Sequence, residues 1–256
     1  MVESVAIVTG ASSGIGRASA LRLCRDFSGV VLIGRDGEKL RQLVSHMENG
    51  HCKALALELD LTRPVAAATA IETTLNVFGR IDALLNIAGA VPGLDVFQMS
   101  DEQWESAMAL KLHAARRLTL HAWDWLKSSK GSVVFTSGNA AVIPRAAAAA
   151  VGTINAATEA LAKAFADRGL EDGVQVNSIS PGAVLTGRRL AMLEKFAADR
   201  NVGLEEAKQL FLRQAGIGRF GSPEDIAELM AFVVSPAARW MTGSVLRMDG
   251  GEVKSV

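Results

Sequence analysis

Short apolar runs alternate along the chain with longer stretches in which apolar residues recur at helical spacing. Val5-Ala6-Ile7-Val8, Val30-Val31-Leu32-Ile33, Ala54 to Leu59, Ala83-Leu84-Leu85, Val133-Val134-Phe135 and Val174 to Ile179 are the short runs. Segments apolar at successive positions and bounded by turn residues suit strands buried on both faces. Between them, Asp36 to about Met47, Pro64 to Phe78 and Asp101 to about Leu126 predict helices, with Gly50 as a break after the first. Ser100 ahead of Asp101-Glu102, and Ser222 followed by Pro223, are helix-start signals. A last strand follows Thr242. Strand and helix alternating without interruption predict an α/β fold built on a doubly wound, seven-stranded parallel sheet. No repeat, linker or low-complexity stretch divides the chain, so 1–256 reads as one domain.

Composition narrows the classes of function. With 49% hydrophobic and 21% charged residues the chain can bury a sizeable core. Twenty-seven basic residues balance twenty-seven acidic ones, which gives neither nucleic acid nor an anionic membrane a field to bind. No apolar run reaches the length of a membrane span, and the first strand starts too early to leave room for a leader. Cys24 and Cys52 lack metal-ligand spacing, so no metal is expected, and two free thiols fit a reducing cytoplasm. The chain has no tyrosine.

The first strand runs into Thr9-Gly10-Ala11-Ser12-Ser13-Gly14-Ile15-Gly16 and then into good helix formers from Arg17. A strand turning sharply into a helix aims unpaired N–H groups and the positive dipole end at one place. Glycines there let a pyrophosphate approach the backbone. The second strand ends in Gly34-Arg35-Asp36. An acid at that point would bond a ribose 2′-hydroxyl, whereas arginine pairs with a 2′-phosphate. Arg35 suits either that pairing or a solvated loop, and Asp36 could pair with it or repel the phosphate.

The Gly-x-x-x-Gly-x-Gly loop, Asn86-Ile87-Ala88-Gly89, Val176-Asn177 to Pro181-Gly182 and Asp249-Gly250-Gly251 together resemble the short-chain dehydrogenase/reductase family over about Val5 to Gly251. The resemblance implies a Rossmann-like fold and a cofactor site. Gly10, Ser12, Ser13, Gly14, Ile15 and Gly16 would hold the pyrophosphate, and Arg35 would select NADP(H) over NAD(H). Asp60-Leu61 resembles the pair that contacts adenine, although Asp60 equally suits a helix cap. Asn86, Ala88 and Gly89 would border the cofactor, with Ile87 in place of a second asparagine. Pro181, Gly182, Val184 and Thr186 would meet the nicotinamide end. The segment from Gly187 to Gly221 stands where the family keeps its substrate lid, and a homotetramer is implied.

The same resemblance exposes a gap. The family places a tyrosine and, four residues on, a lysine on one helical face, where the ammonium lowers the phenol's pKa. Ala156-Ala157-Thr158-Glu159-Ala160-Leu161 fixes the register and puts Val151 and Asn155 at those two positions. Trp104 sets the register of the preceding long helix, where Lys111 stands in place of an asparagine. Ser137 closes the fifth strand at the family's serine. Ala146 to Ala150 either widen a pocket or start a helix. Two readings follow. One is an NADP-dependent oxidoreductase on a small carbonyl or alcohol substrate, with Ser137 holding the carbonyl oxygen and Lys111 donating the proton. The alternative is a catalytically inactive NADP-binding sensor or partner subunit.

Overall fold

The computed structural model describes residues 3–47 and 52–254; the break expected at Gly50 lies outside the described residues. Seven strands among them form one parallel sheet in the order β3-β2-β1-β4-β5-β6-β7. They are β1 (Val5–Thr9), β2 (Gly29–Gly34), β3 (Lys53–Glu58), β4 (Ala83–Asn86), β5 (Ser132–Thr136), β6 (Gln175–Pro181) and β7 (Val245–Met248). The single-domain, doubly wound sheet expected from the strand–helix alternation is the one found.

Successive strand residues serve opposite layers. Val5, Ile7, Val31, Ile33, Leu84, Val133 and Phe135 pack against α3 (Pro64–Phe78), α5 (Ala114–Ser129) and α6 (Ala149–Asp172). Ala6, Val8, Val30, Leu32, Leu85 and Val134 face α1 (Gly14–Leu23), α2 (Gly37–Met47) and α9 (Pro223–Val233). Every residue of β1 and β2 is buried, which is why their sequences run apolar up to Thr9 and Gly34 and do not alternate. On one side Phe165 of α6 stacks on Phe135 at 5.9 Å and meets Trp123 in a tilted pair at 5.5 Å. Ser100 and Ser222 cap their helices in reciprocal capping boxes with Gln103 and Asp225, as their positions suggested.

The helix expected from Asp101 to about Leu126 is not continuous. It divides into α4 (Asp101–Met108), a π-turn at Ala109–His113, and α5 running on to Ser129. The Ala114 N–H reaches back five residues to the Ala109 carbonyl, so one residue more than a regular turn is accommodated. Ala107, Ala114 and Leu118 are buried on either side of the turn at intervals that also suit an unbroken helix, which leaves the break invisible in the pattern of apolar residues. The π-turn carries Lys111.

The sheet order reverses between β1 and β4. Chains leave these two strands in opposite directions, opening a crevice at their carboxyl ends. Helices α7 (Gly187–Arg200) and α8 (Leu204–Ala215) fill the segment expected to be a lid. No helix of the described residues is long and apolar enough to cross a membrane.

Candidate active site

Two cavities meet at the carboxyl edge of the sheet. The first, of about 380 Å³, is lined mainly by backbone and small residues of the β1–α1 turn, the end of β2 and the segment after β4. Gly10 has φ +67° and sits against Ala88, so closely that a Cβ would lie 3.1 Å from the Ala88 Cα. A Cβ on Gly16 would overlap the Gly10 carbonyl. Ser13 precedes α1 without spending its side chain on a cap, which leaves the helix's first N–H groups facing the cavity. Ser12, Ser13, Gly14, Ile15, Ala88 and Gly89 all line this space. The turn is held from beneath by Thr9, a residue with no assigned role in the sequence reading. Its Oγ1 accepts from the Ile87 and Ala88 N–H groups at 2.8 and 2.9 Å and donates to the Leu85 carbonyl at 3.2 Å.

At the far end of this cavity Arg35 is exposed and open to a ligand. Asp36 neither pairs with it nor leaves a bare charge: its carboxylate bonds Lys39 Nζ at 2.8 Å and the Lys39 N–H at 3.1 Å. Asp60 is neither turned to the cavity nor the cap of the next helix, whose N-cap is Arg63; it makes a local turn. It accepts from Thr62 N–H at 3.0 Å and Thr62 Oγ1 at 2.8 Å, bonds that hold its pKa below the usual carboxylate value. Leu61 lines the cavity and Asp60 does not. Asn86 also turns away: its Nδ2 donates to Thr119 Oγ1 at 3.3 Å, and it lines neither cavity.

The second cavity, about 440 Å³, lies over the ends of β5 and β6 and under α7 and α8. Ile15, Ile87, Pro181, Gly182, Val184 and Thr186 wall the side next to the first cavity. Thr186 and Arg188 line both. The Thr186 hydroxyl accepts from the Arg189 N–H at 3.2 Å and so starts α7. Opposite stand Lys111, Ser137, Val151 and Asn155, brought together from the π-turn, the end of β5 and the first turns of α6. Four residues separate Val151 from Asn155, which puts both on one face of α6.

Lys111 Nζ donates to the Ser137 carbonyl at 3.4 Å and has no carboxylate partner among the described residues. Burial pulls its pKa down to about 8, and the like charge of Arg188 pushes the same way. Lys163, the nearest lysine on α6, is spent elsewhere, on the Gly243 carbonyl at 3.2 Å. Asn155 is buried, and its Oδ1 has no hydrogen-bond partner. Gly138 makes room for its Nδ2, to which a Cβ would approach within 3.0 Å.

Ser137 borders the cavity, but its hydroxyl donates to Glu159 Oε1 at 2.5 Å and lies 3.4 Å from the Ile179 carbonyl. Glu159 was missed by the sequence reading. Its signal was its place four residues after Asn155, one turn further along the same face of α6. Also missed were Arg188 and Arg189, at the start of the segment expected to be a lid, and Glu252 near the end of the chain. Among the described residues no group of three His, Cys, Asp or Glu side chains could hold a metal ion.

Comparison with known proteins places this geometry. The family described as Enoyl-(Acyl carrier protein) reductase matches residues 10–252. The short-chain reductase protein NovJ of Streptomyces niveus is 29% identical, over 97% of this chain and 94% of its own. The 3-oxoacyl-[acyl-carrier-protein] reductase FabG of Vibrio cholerae is 32% identical over 96% of both. The crystal structure of L-sorbose reductase from Gluconobacter frateurii, complexed with NADPH and L-sorbose, superposes with a TM-score of 0.94 at 27% identity, covering 99% of this chain and 97% of that one. With its glycine turn, its reversed strand order and a match along almost its whole length, the chain belongs to the short-chain dehydrogenase/reductase family.

Proposed function

We propose that the protein is an NADPH-dependent oxidoreductase that reduces a small carbonyl compound, or oxidises the matching alcohol, with Lys111 as its proton donor and acceptor. The observation that carries this reading is the position of Lys111. It is a partly buried lysine whose ammonium has no carboxylate partner among the described residues, in the cavity that adjoins the nucleotide crevice, with a pKa of about 8.

The residues present suit the cofactor. The glycine turn and the open N-terminus of α1 would take the pyrophosphate. Arg35, left clear by the Asp36–Lys39 pair, would take the 2′-phosphate. Ile15, Ile87 and Val184 would flank the nicotinamide, with Thr186 beside it. L-sorbose reductase, of the same fold, binds NADPH. When bound, the nucleotide supplies the hydride. Lys111 gives a proton to the carbonyl oxygen, becomes a neutral amine, and is reprotonated by water from the cavity mouth. Ser137 then acts by its backbone, whose carbonyl orients the ammonium, because its hydroxyl proton is held by Glu159. Val151 and Asn155 stand at the tyrosine and lysine positions, and neither can carry the proton.

Lys111→Met tests the assignment. Reduction of a carbonyl panel should fall by about 10²- to 10⁴-fold, the worth of general acid catalysis, while NADPH affinity stays within a few-fold. In the parent, reduction should weaken as pH rises through about 8, because the donor is then deprotonated. That basic limb should vanish in any activity the variant keeps. A variant as active as the parent removes Lys111 from the mechanism. The second reading, a nucleotide-binding sensor or partner subunit, has two observations in its favour: the Ser137 hydroxyl is already committed and Val151 is apolar. Tight NADPH binding without turnover in the parent would select it.

Assembly as a homotetramer belongs to the same proposal. Leu120 and Trp125 on α5, Leu170 on α6, and Val245 and Met248 on the edge strand β7 are large apolar side chains left exposed in one chain. Light scattering that finds the mass of a single chain at micromolar concentration contradicts it.

A further inference from the structure

The second cavity is strongly cationic. Lys111, Arg145, Arg188 and Arg189 line it against one carboxylate, Glu252. None of the four cations makes an ion pair among the described residues, although ten such pairs occur elsewhere.

The two neighbouring arginines are used differently. Arg188 is a fastener: its guanidinium donates to the Gly89 carbonyl at 3.4 Å and to the Val91 carbonyl, tying α7 to the segment after β4. Arg189 has no such work. Its guanidinium lies over the Phe211 ring of α8, 5.1 Å from the centroid, and none of its side-chain N–H groups has a hydrogen-bond partner among the described residues. Glu252 is near enough to act on it through space but forms no ion pair with it, and its own Oε2 accepts from Asn139 Nδ2 at 3.0 Å. Burial lowers the Arg189 pKa and Arg188 adds to it, while the Glu252 carboxylate offsets them only in part, so this charge is incompletely compensated where it stands.

A guanidinium held flat by an aromatic ring, with its donor fork unspent and facing a cavity, is built for a planar two-oxygen anion. Arg188 borders both cavities and can serve the cofactor's phosphates, whereas Arg189 borders only the second. We infer that the substrate bears a carboxylate away from its reacting carbonyl, and that Arg189 binds that carboxylate. This deepens the proposed reductase and rests on it for the carbonyl, while the anion site stands on its own geometry. A cavity of about 440 Å³ accommodates a compound with one ring or a short chain.

The test uses three keto acids (4-acetylbenzoate, levulinate and 2-oxoglutarate) beside their methyl esters. Binding to the NADPH-loaded protein is read by calorimetry and turnover by NADPH oxidation. At least one acid should bind about 10- to 100-fold more tightly than its ester, as two charge-assisted hydrogen bonds require. Arg189→Gln should erase that preference without moving NADPH affinity, and Arg189→Lys should restore only part of it. The acid-to-ester ratio in the parent needs no variant, so poor folding of Arg189→Gln leaves the test intact. Esters binding as tightly as acids, or no acid binding at millimolar concentration, overturns the inference. So does a preference that survives Arg189→Gln. An Arg189-dependent acid that binds and is not reduced supports the anion site and defeats the reductase. A reduced ester without acid preference defeats the anion site and leaves the reductase standing.

Discussion

The two cavities share a wall and differ in what builds them. The nucleotide cavity is made of main chain: glycines, the open end of α1, and a threonine that pins two amides of the next segment. The second cavity is made of side chains sent from the π-turn, β5, α6, α7, α8 and the stretch around Glu252. A backbone site needs a fixed local conformation, and that conformation admits few residue types. A side-chain site needs only that its groups converge, and many sequences can meet that condition. The first therefore leaves a readable motif, and the second leaves scattered charges.

Substitutions that load one cavity and spare the other sharpen the contrast. The largest effect on nucleotide binding should come from the smallest addition. Gly16→Ala places a methyl on the Gly10 carbonyl, and the strain should weaken NADPH binding on the order of 100-fold in a fluorescence titration. Affinity within threefold of the parent would mean that the turn yields and that its glycines are not what shapes the site. A smaller effect belongs to Arg35, which lines the nucleotide cavity and not the second one, whereas Arg188 lines both. Arg35→Asp should lower the ratio of NADPH to NADH affinity by about 30-fold, mostly through lost contact with the 2′-phosphate. An unchanged ratio would move cofactor choice elsewhere in the crevice.

The same contrast explains how much was legible beforehand. The parallel sheet could be read because β1, β2, β4 and β5 are buried on both faces and so carry continuous apolar stretches, with polar residues only at their ends. The glycine turn could be read because Gly10 and Gly16 have no room for a side chain. Asp60 and Asn86 were candidates for the cofactor by position along the chain, yet each is drawn aside by a nearer partner, Thr62 and Thr119. Position in a motif does not settle which way a rotatable polar group turns. Lys111 was legible only as a departure from a resemblance, since the π-turn that presents it leaves no mark on the hydrophobic pattern. The Ser137–Glu159 bond and the unspent fork of Arg189 depend on contacts between distant segments, which no local pattern encodes.

Lys111 also has a thermodynamic consequence. Its pKa of about 8 in the fold, against 10.5 for the free side chain, means that folding opposes the protonated form. Below about pH 8 the chain must fold around that proton, at a cost of about 3 kcal/mol as an upper bound. Between about pH 8 and 10.5 the unfolded chain holds more protons than the folded one, so stability from this group rises with pH through that window. Lys111→Met, which keeps the volume and drops the charge, should therefore be more resistant to urea than the parent at pH 7, with the gap narrowing toward pH 10.5. A chain that keeps such a residue is less stable at neutral pH than its own sheet and helices would allow. The same charge that loosens the fold is the one proposed to supply the proton for reduction.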